Sequence, residues 1–366
     1  MLIVRYSMSL LYCNPCVFSI NNEYEILVLT NEKSIITVKA GDNIYYTANS
    51  GALSSEKRHG RIRVPKSALD AEKKYTVTVR NTIDRRAYYS ILGDAEEHTF
   101  PFRPIEKTEG INMYLISDVH YHFDLALKTA TYFGDDLDVL LVNGDIGEVE
   151  TEENYREVAK FVSDITRGEI PAVFVRGNHD TRGRQAELYT DFFPSNGYDT
   201  YYTFDLGPIC GIAYDCGEDK PDCQVEYGGV NAFEVFRRRE TEFFKSLTKA
   251  SKPTFAIGHM CPAQITNRPG SIFDIDHDVF TQWVKELERV EISFMLCGHI
   301  HRAYILESDA PESLVPHDFP VIVGSACYFD ENEMCGTAIT LGNGKAEIRF
   351  TNSSHVITEA YEIPLK

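Results

Sequence analysis

From Gly110 onward the chain repeats one rhythm: a short apolar run, a polar loop, then an amphipathic stretch. The runs at 111–117, 139–143 and 172–175 are too short for helices and rich in Val, Ile and Leu, so they read as strands buried on both faces. Between them, 125–133 and 153–167 have the length of helical crossovers between parallel neighbours. Further strands are expected at 201–205, 210–215, 254–258, 292–297 and 319–323, and a helix at 279–287. Gly342-Asn343-Gly344 predicts a hairpin between 338–341 and 345–350. This alternation constrains the later part of the chain to a layered α/β domain.

The earlier part is different. Residues 24–30, 35–39, 44–47, 75–80 and 87–91 are short runs of Val, Ile, Tyr and Thr separated by polar turns, with no convincing helical stretch. They predict a small all-β sandwich of immunoglobulin or fibronectin type, and 102–109 reads as a linker. The division expected is therefore 1–108 for the β-sandwich domain with its linker and 109–366 for the α/β domain. The apolar run 8–20 is broken by Asn14 and Pro15, has only Arg5 as a basic flank and lacks a clear cleavage site, so it reads as neither a membrane span nor a signal peptide. A cytoplasmic protein with no membrane partner is the expectation. The nine cysteines are odd in number and scattered, which points to reduced thiols, and the lone Cys13-x-x-Cys16 has no second pair with which to build a zinc site. With 55 acidic against 36 basic residues and a net charge of −19, nucleic acid is not an expected partner. A phosphate-bearing substrate has to be attracted locally.

Short motifs of metal-ligating type follow the predicted strands, where open α/β sheets place their ligand sites. They are Asp118-Val119-His120, Gly144-Asp145, Gly177-Asn178-His179-Asp180, Gly258-His259 and Gly298-His299-Ile300-His301. In extended chain, residues two apart point the same way, so Asp118 with His120 and His299 with His301 are expected to converge, whereas the neighbours Asn178 and His179 diverge into separate roles. Imidazole, carboxylate and one amide oxygen, without thiolate, suit two divalent transition ions such as Mn, Fe, Zn, Co or Ni. Asp145, alone after its glycine, is the natural bridge between them.

In this order the motifs resemble the D-x-H, G-D, G-N-H-[DE], H and G-H-x-H series of the calcineurin-like metallophosphoesterases, from about Met113 to His301 and in pattern to about Phe350. The resemblance implies a four-layer α/β/β/α sandwich and a metal-dependent phosphoric ester hydrolase. It implies one metal on Asp118, His120, Asp145 and His301, and a second on Asp145, Asn178, His259 and His299. Attack on phosphorus would come from a metal-bridging hydroxide. His179 would neutralise the transition state or protonate the leaving oxygen, with Asp180 orienting its ring. Asn178, His179 and Arg182 would contact substrate, Arg182 being read equally as a phosphate clamp or a solvated loop residue.

The substrates implied are phosphorylated small molecules or phosphoproteins, with monoesters slightly favoured. A phosphodiesterase or nucleotide hydrolase stays as the alternative within the class, and a non-catalytic binding scaffold as the alternative outside it. The oligomeric state is left open. A β-domain ahead of such a catalytic domain is similar in layout to purple acid phosphatases, yet that subgroup lacks the histidine found here at His120 and has a metal-binding tyrosine where this chain has Glu148. A colourless centre compatible with Mn or Zn follows. The remaining polar and aromatic features take plainer readings. His122 is expected at the surface, 217–224 as a solvated charged loop, Cys261 and Cys297 as packing, and Trp283 in the core or a groove. Arg237-Arg238-Arg239 is expected on the exposed face of a helix.

Overall fold

The computed structural model describes residues 9–47, 50–265, 269–308, 310–328 and 333–366. The first part holds β1 (Cys16–Ile20), β2 (Glu23–Leu29), β3 (Ser34–Ala40), β4 (Asn43–Tyr46), β5 (His59–Pro65), α1 (Lys66–Glu72), β6 (Lys74–Arg85) and β7 (Ser90–Pro101). After Gly110 come β8 (Ile111–Ile116), α2 (Phe123–Ala130), β9 (Val139–Asn143), α3 (Glu152–Thr166), β10 (Pro171–Val175), α4 (Tyr189–Phe192), β11 (Tyr202–Asp205) and β12 (Cys210–Ala213). The chain continues through α5 (Phe233–Ser246), β13 (Thr254–Ile257), α6 (His277–Arg289), β14 (Phe294–Cys297), β15 (Tyr304–Leu306) and β16 (Val321–Val323). It ends with β17 (Ala326–Tyr328), β18 (Glu333–Gly342), β19 (Lys345–Asn352) and β20 (Ile357–Pro364).

Among the described residues one sheet runs β20-β19-β18-β8-β9-β10-β1-β2-β5, with β17 added on β18, and a second runs β11-β12-β13-β14-β16-β15. Their facing surfaces enclose a core that includes Met113, Leu141, Val173, Phe255, Leu296 and Ile339. Helices α2 and α3 cover the outer face of the first sheet through Ala126, Tyr155, Val158 and Phe161. Helices α5 and α6 cover the second through Phe244, Val279, Trp283 and Leu287. The result is the four-layer α/β/β/α arrangement. The helix start at α3 is chemically set: Thr151 at the N-cap accepts from the Asn154 amide, and Glu152 and Glu153 occupy the positive end of the helix dipole.

The β-sandwich is built from the sheet β4-β3-β6-β7 on one side and β1, β2 and β5 on the other, around Val17, Tyr24, Ile26, Val38, Val64, Val77 and Phe102. The second of these layers is the edge of the catalytic sheet itself, because β1 pairs in parallel with β10 through Val17↔Pro171 and Phe18↔Ala172. In β2, Tyr24, Ile26 and Val28 enter the sandwich core while Leu27 and Leu29 enter the helix-covered core. Burial on both sides explains why 16–20 is a mostly apolar run rather than an alternating strand. That run begins at Met8, which with Arg5 lies outside the described residues.

Two expectations about single elements are corrected. A helix, α1, stands in the segment expected to hold none; with Leu69 as its buried residue and seven residues in all, it leaves no periodic signal. The strand expected at 87–91 starts later, at Ser90, because Arg86 to Tyr89 form the turn, closed by Arg86 N–H donating to the Tyr89 carbonyl at 2.9 Å. Among the described residues no helix is long and apolar enough to cross a membrane.

Candidate metal centre

The loops after β8, β9 and β10 from one sheet and after β13 and β14 from the other bring Asp118, His120, Asp145, Asn178, His259, His299 and His301 together. His301 Nε2 lies 3.3 Å from Asp118 Oδ1 and 3.3 Å from His120 Nε2. His259 Nε2 lies 3.0 Å from Asp145 Oδ2 and 3.8 Å from Asp118 Oδ1. The Asn178 amide is 3.0 Å from His299 Nδ1 and 3.3 Å from Asp145 Oδ2. Three overlapping groups, Asp118/His120/His301, Asp145/His259/His299 and His120/Asp145/His179, each place their ligating atoms within 4.8 Å of one another.

Convergence is achieved differently from the expected extended-chain alternation. Asp118 (φ 55°), His120 (φ 46°), Asp145 (φ 52°), His299 (φ 70°) and His301 (φ 53°) all occupy the left-handed region. Such conformations are uncommon for residues with a side chain, and they cluster where a site over-determines the backbone. Gly144 and Gly177 allow the loops to touch: a Cβ on Gly144 would meet Gly177 N at 2.5 Å, and one on Gly177 would meet Asp145 N at 2.3 Å.

The surrounding hydrogen bonds aim the ligands. His259 Nδ1 faces the Asn143 carbonyl at 2.7 Å, which turns Nε2 toward the carboxylates. Asp118 accepts from Ser117 Oγ at 2.5 Å and from the His299 amide at 3.0 Å. The His179 amide donates to Asp145 Oδ1 at 2.8 Å. Burial pushes His120 down to about 4, and burial, with His259 next in weight, pushes His299 down to about 3. Both rings therefore stand neutral near pH 7 with lone pairs available. Imidazole nitrogens, two of them facing each other at 3.3 Å, around two buried carboxylates form a donor set that fits divalent cations.

Several single-residue expectations change. Asp180 does not orient the His179 ring. Its carboxylate accepts from the backbone N–H groups of Gly177 (2.8 Å), Asp145 (3.0 Å) and Gly147 (3.4 Å), and so ties together the loops that carry Asp145 and Asn178. The ring of His179 is instead met by Arg182, whose Nη1 lies 3.0 Å from Nε2. Arg182 is partly exposed but anchored: Glu218 accepts from its Nε at 2.7 Å and from its Nη2 at 2.8 Å, and Tyr227 donates to the same carboxylate at 3.1 Å. Glu218 is buried, so the segment read as a solvated loop forms the wall behind Arg182.

That wall is pinned from two sides. Arg176 pairs with buried Asp215 at 2.7 Å, and Arg237 pairs with Asp276 at 2.6 Å while donating to the carbonyls of Cys216 (2.8 Å) and Glu218 (3.2 Å). Arg237 is fully buried, against the expectation of an exposed arginine triplet; Arg238 and Arg239 are exposed. Trp283, Cys297 and Cys261 pack in or against the core under α5 and α6, and His122 is exposed. Sequence reading passed over Glu148 as a partner. Its Oε1 lies 3.2 Å from His120 Nδ1, so the two positions that depart from the purple subgroup touch each other.

The sequence profile of the calcineurin-like phosphoesterases matches residues 111–303, more than half of the chain. The chain belongs to the calcineurin-like phosphoesterase family. It is therefore a metal-dependent phosphoric ester hydrolase, and the cluster is its candidate metal site. A purple acid phosphatase from yellow lupin (Lupinus luteus) seeds shares the fold with a TM-score of 0.59 at 10% identity, over 96% of this chain and 74% of that one. PhoD shares it with a TM-score of 0.57 at 11% identity, over 98% and 90%. A dimetal phosphatase from Danio rerio has a TM-score of 0.50 at 11% identity, over 70% and 100%. No curated protein matches the sequence. The lupin and PhoD likenesses extend over the β-sandwich as well as the catalytic layers, whereas the fish phosphatase matches a smaller share of the chain.

Proposed function

We propose that the chain hydrolyses phosphomonoesters at a binuclear centre, one ion held by Asp118, His120, Asp145 and His301 and the other by Asp145, Asn178, His259 and His299. The observation that carries this is the pair of ligand groups Asp118/His120/His301 and Asp145/His259/His299, with His259 reaching both carboxylates at 3.0 and 3.8 Å. Divalent cations held by these residues would supply Lewis acidity there. His179, whose ring centroid is 4.9 Å from that of His120, delivers a proton to the departing oxygen. Arg182, fixed by Glu218, places its remaining N–H groups where a phosphoryl oxygen is held. Imidazole and carboxylate ligands without thiolate favour Mn or Zn as the resident ions.

The test is direct. Protein stripped with chelator and refilled with Mn is expected to bind two ions per chain and to hydrolyse an aryl phosphate faster than a bis-aryl phosphate. Asn178→Ala and His299→Ala are each expected to lower kcat/KM by at least about 100-fold. Retained activity in both variants overturns the assignment, and a preference for the bis-aryl ester overturns the monoester reading.

A further inference from the structure

In the loop between β12 and α5, Tyr227 is placed by its hydroxyl rather than by its ring. Among the described residues it joins none of the apolar cores, and the nearby Val225 and Val230 are exposed. Its turn, Val225–Tyr227, ends at Gly228 in the left-handed region (φ 60°). The loop is tied down by Lys220, 2.5 Å from Glu226, and by Asp222, which accepts from the Phe233 and Glu234 amides at 2.9 and 3.0 Å. The Tyr227 hydroxyl lies between two carboxylates, 3.1 Å from Glu218 Oε2 and 3.2 Å from Asp219 Oδ1. Arg182 Nη2 lies between the same two oxygens, 2.8 Å from the first and 3.6 Å from the second. Four groups thus close a circuit in which two acceptors share two donors. Burial, then the charges of Glu218 and Asp219, push the Tyr227 hydroxyl well above its ordinary value, so it stays a donor.

We propose that Tyr227 is a positioning residue for phosphoryl binding, acting through Glu218 and Asp219 on Arg182. The inference rests on the reading of Arg182 as the phosphoryl contact. Carboxylates on successive residues repel each other, and here both reach toward one guanidinium. The Tyr227 proton serves both of them. Glu218 is then free to grip Arg182 through Nε and Nη2, and Nη1 is left facing His179 at 3.0 Å. Without that proton, Asp219 turns to Arg182 Nη2 and draws the fork away from the metal site. A phosphoryl contact of this kind is made in the ground state and in the transition state alike, so its loss falls on KM rather than on kcat.

Tyr227→Phe removes the hydroxyl and keeps the ring. In the Mn-loaded full chain it is expected to raise KM for an aryl phosphate and Kd for inorganic phosphate, read by calorimetry, by the same factor of about three- to tenfold, with kcat within about twofold and metal content unchanged. In an Arg182→Ala background the same substitution is expected to change neither constant further, because the group it acts through is gone. Unchanged KM and Kd, or the same factor in both backgrounds, overturns the role of Tyr227 and leaves the phosphomonoesterase reading intact. A fall in kcat that comes with loss of metal marks a merely structural hydroxyl and overturns the role as well. Neither hydrolysis nor phosphate binding by the unsubstituted chain overturns both.

Discussion

At the residue scale, a carboxylate stands beside the outer nitrogen of His120, Glu148 Oε1 at 3.2 Å from Nδ1. A carboxylate behind a ligating imidazole fixes the ring and raises its basicity, and removing such a partner costs roughly 10–100-fold in metal affinity. Glu148→Ala is thus expected to weaken one of the two ions by about that factor while the other stays bound. Chelator competition followed by metal analysis reads this directly, and equal loss of both ions would show that Glu148 does not act through His120. His179→Ala makes the complementary prediction: metal content unchanged, kcat down by about 10²–10³-fold. A parallel loss of metal would instead make His179 a ligand, as its place in the His120/Asp145/His179 group allows.

The Asp, Asn and His series was legible in the sequence because each member follows a short apolar strand within a few residues. Glu148 and Glu218, the partner of Arg182, were not. Glu218 and Arg182 are 36 residues apart, and nothing local marks a loop glutamate as buried. The carboxylate of Asp180 was misread for the opposite reason. It is adjacent to His179, but adjacency in a tight turn sends it to backbone amides instead.

At the element scale, β5 meets α4 where His59 lies against Phe192, with ring centroids 4.4 Å apart. His59 is buried and neither ring nitrogen has a hydrogen-bond partner. Burial, reinforced by Lys57, pushes it from 6.5 down to about 4. The folded protein thus binds fewer protons than the unfolded chain between those values. Its contribution to stability is fully present above about pH 6.5 and is lost as pH falls through 6.5 toward 4. His59→Phe keeps the ring contact and removes the titration, so the drop in urea-unfolding free energy between pH 7.5 and pH 5 is expected to shrink by on the order of 2 kcal/mol. An unchanged drop would place the acid sensitivity elsewhere.

The same scale shows which elements a sequence discloses. The strand expected at 139–143 coincides with β9, and the helix expected at 153–167 lies within a residue of α3, because both carry long or fully apolar patterns. Strands β1 and β5 were missed. The first lacks alternation because both faces are covered, and the second, His59-Gly60-Arg61-Ile62-Arg63-Val64-Pro65, spends its polar face on Glu25 and the loop carbonyls of Thr190 and Ser195 rather than on water.

At the scale of the whole molecule, the change of rhythm at Gly110 marks a change of pattern but not a seam in the sheet. Removing residues 1–107 would strip β1, β2 and β5 from β10, a five-residue strand that is buried throughout. It would also take away the Thr30 and Arg58 carbonyls, at 2.8 and 3.0 Å, that satisfy buried Arg156 on α3. A bare apolar edge next to an unsatisfied buried guanidinium is both an aggregation template and a destabilised helix layer. The truncated chain 108–366 is therefore expected to be insoluble or to sediment as oligomers, even though every candidate metal ligand lies within it. A sandwich that were only appended would behave oppositely, leaving a soluble, monodisperse catalytic domain with unchanged hydrolysis of an aryl phosphate. Sedimentation of the truncated chain beside the full one separates the two. The metal loops grow from the C-terminal ends of β8, β9 and β10, and the N-terminal strands close that sheet, so they are expected to hold β10, and with it Asn178 and His179, in register.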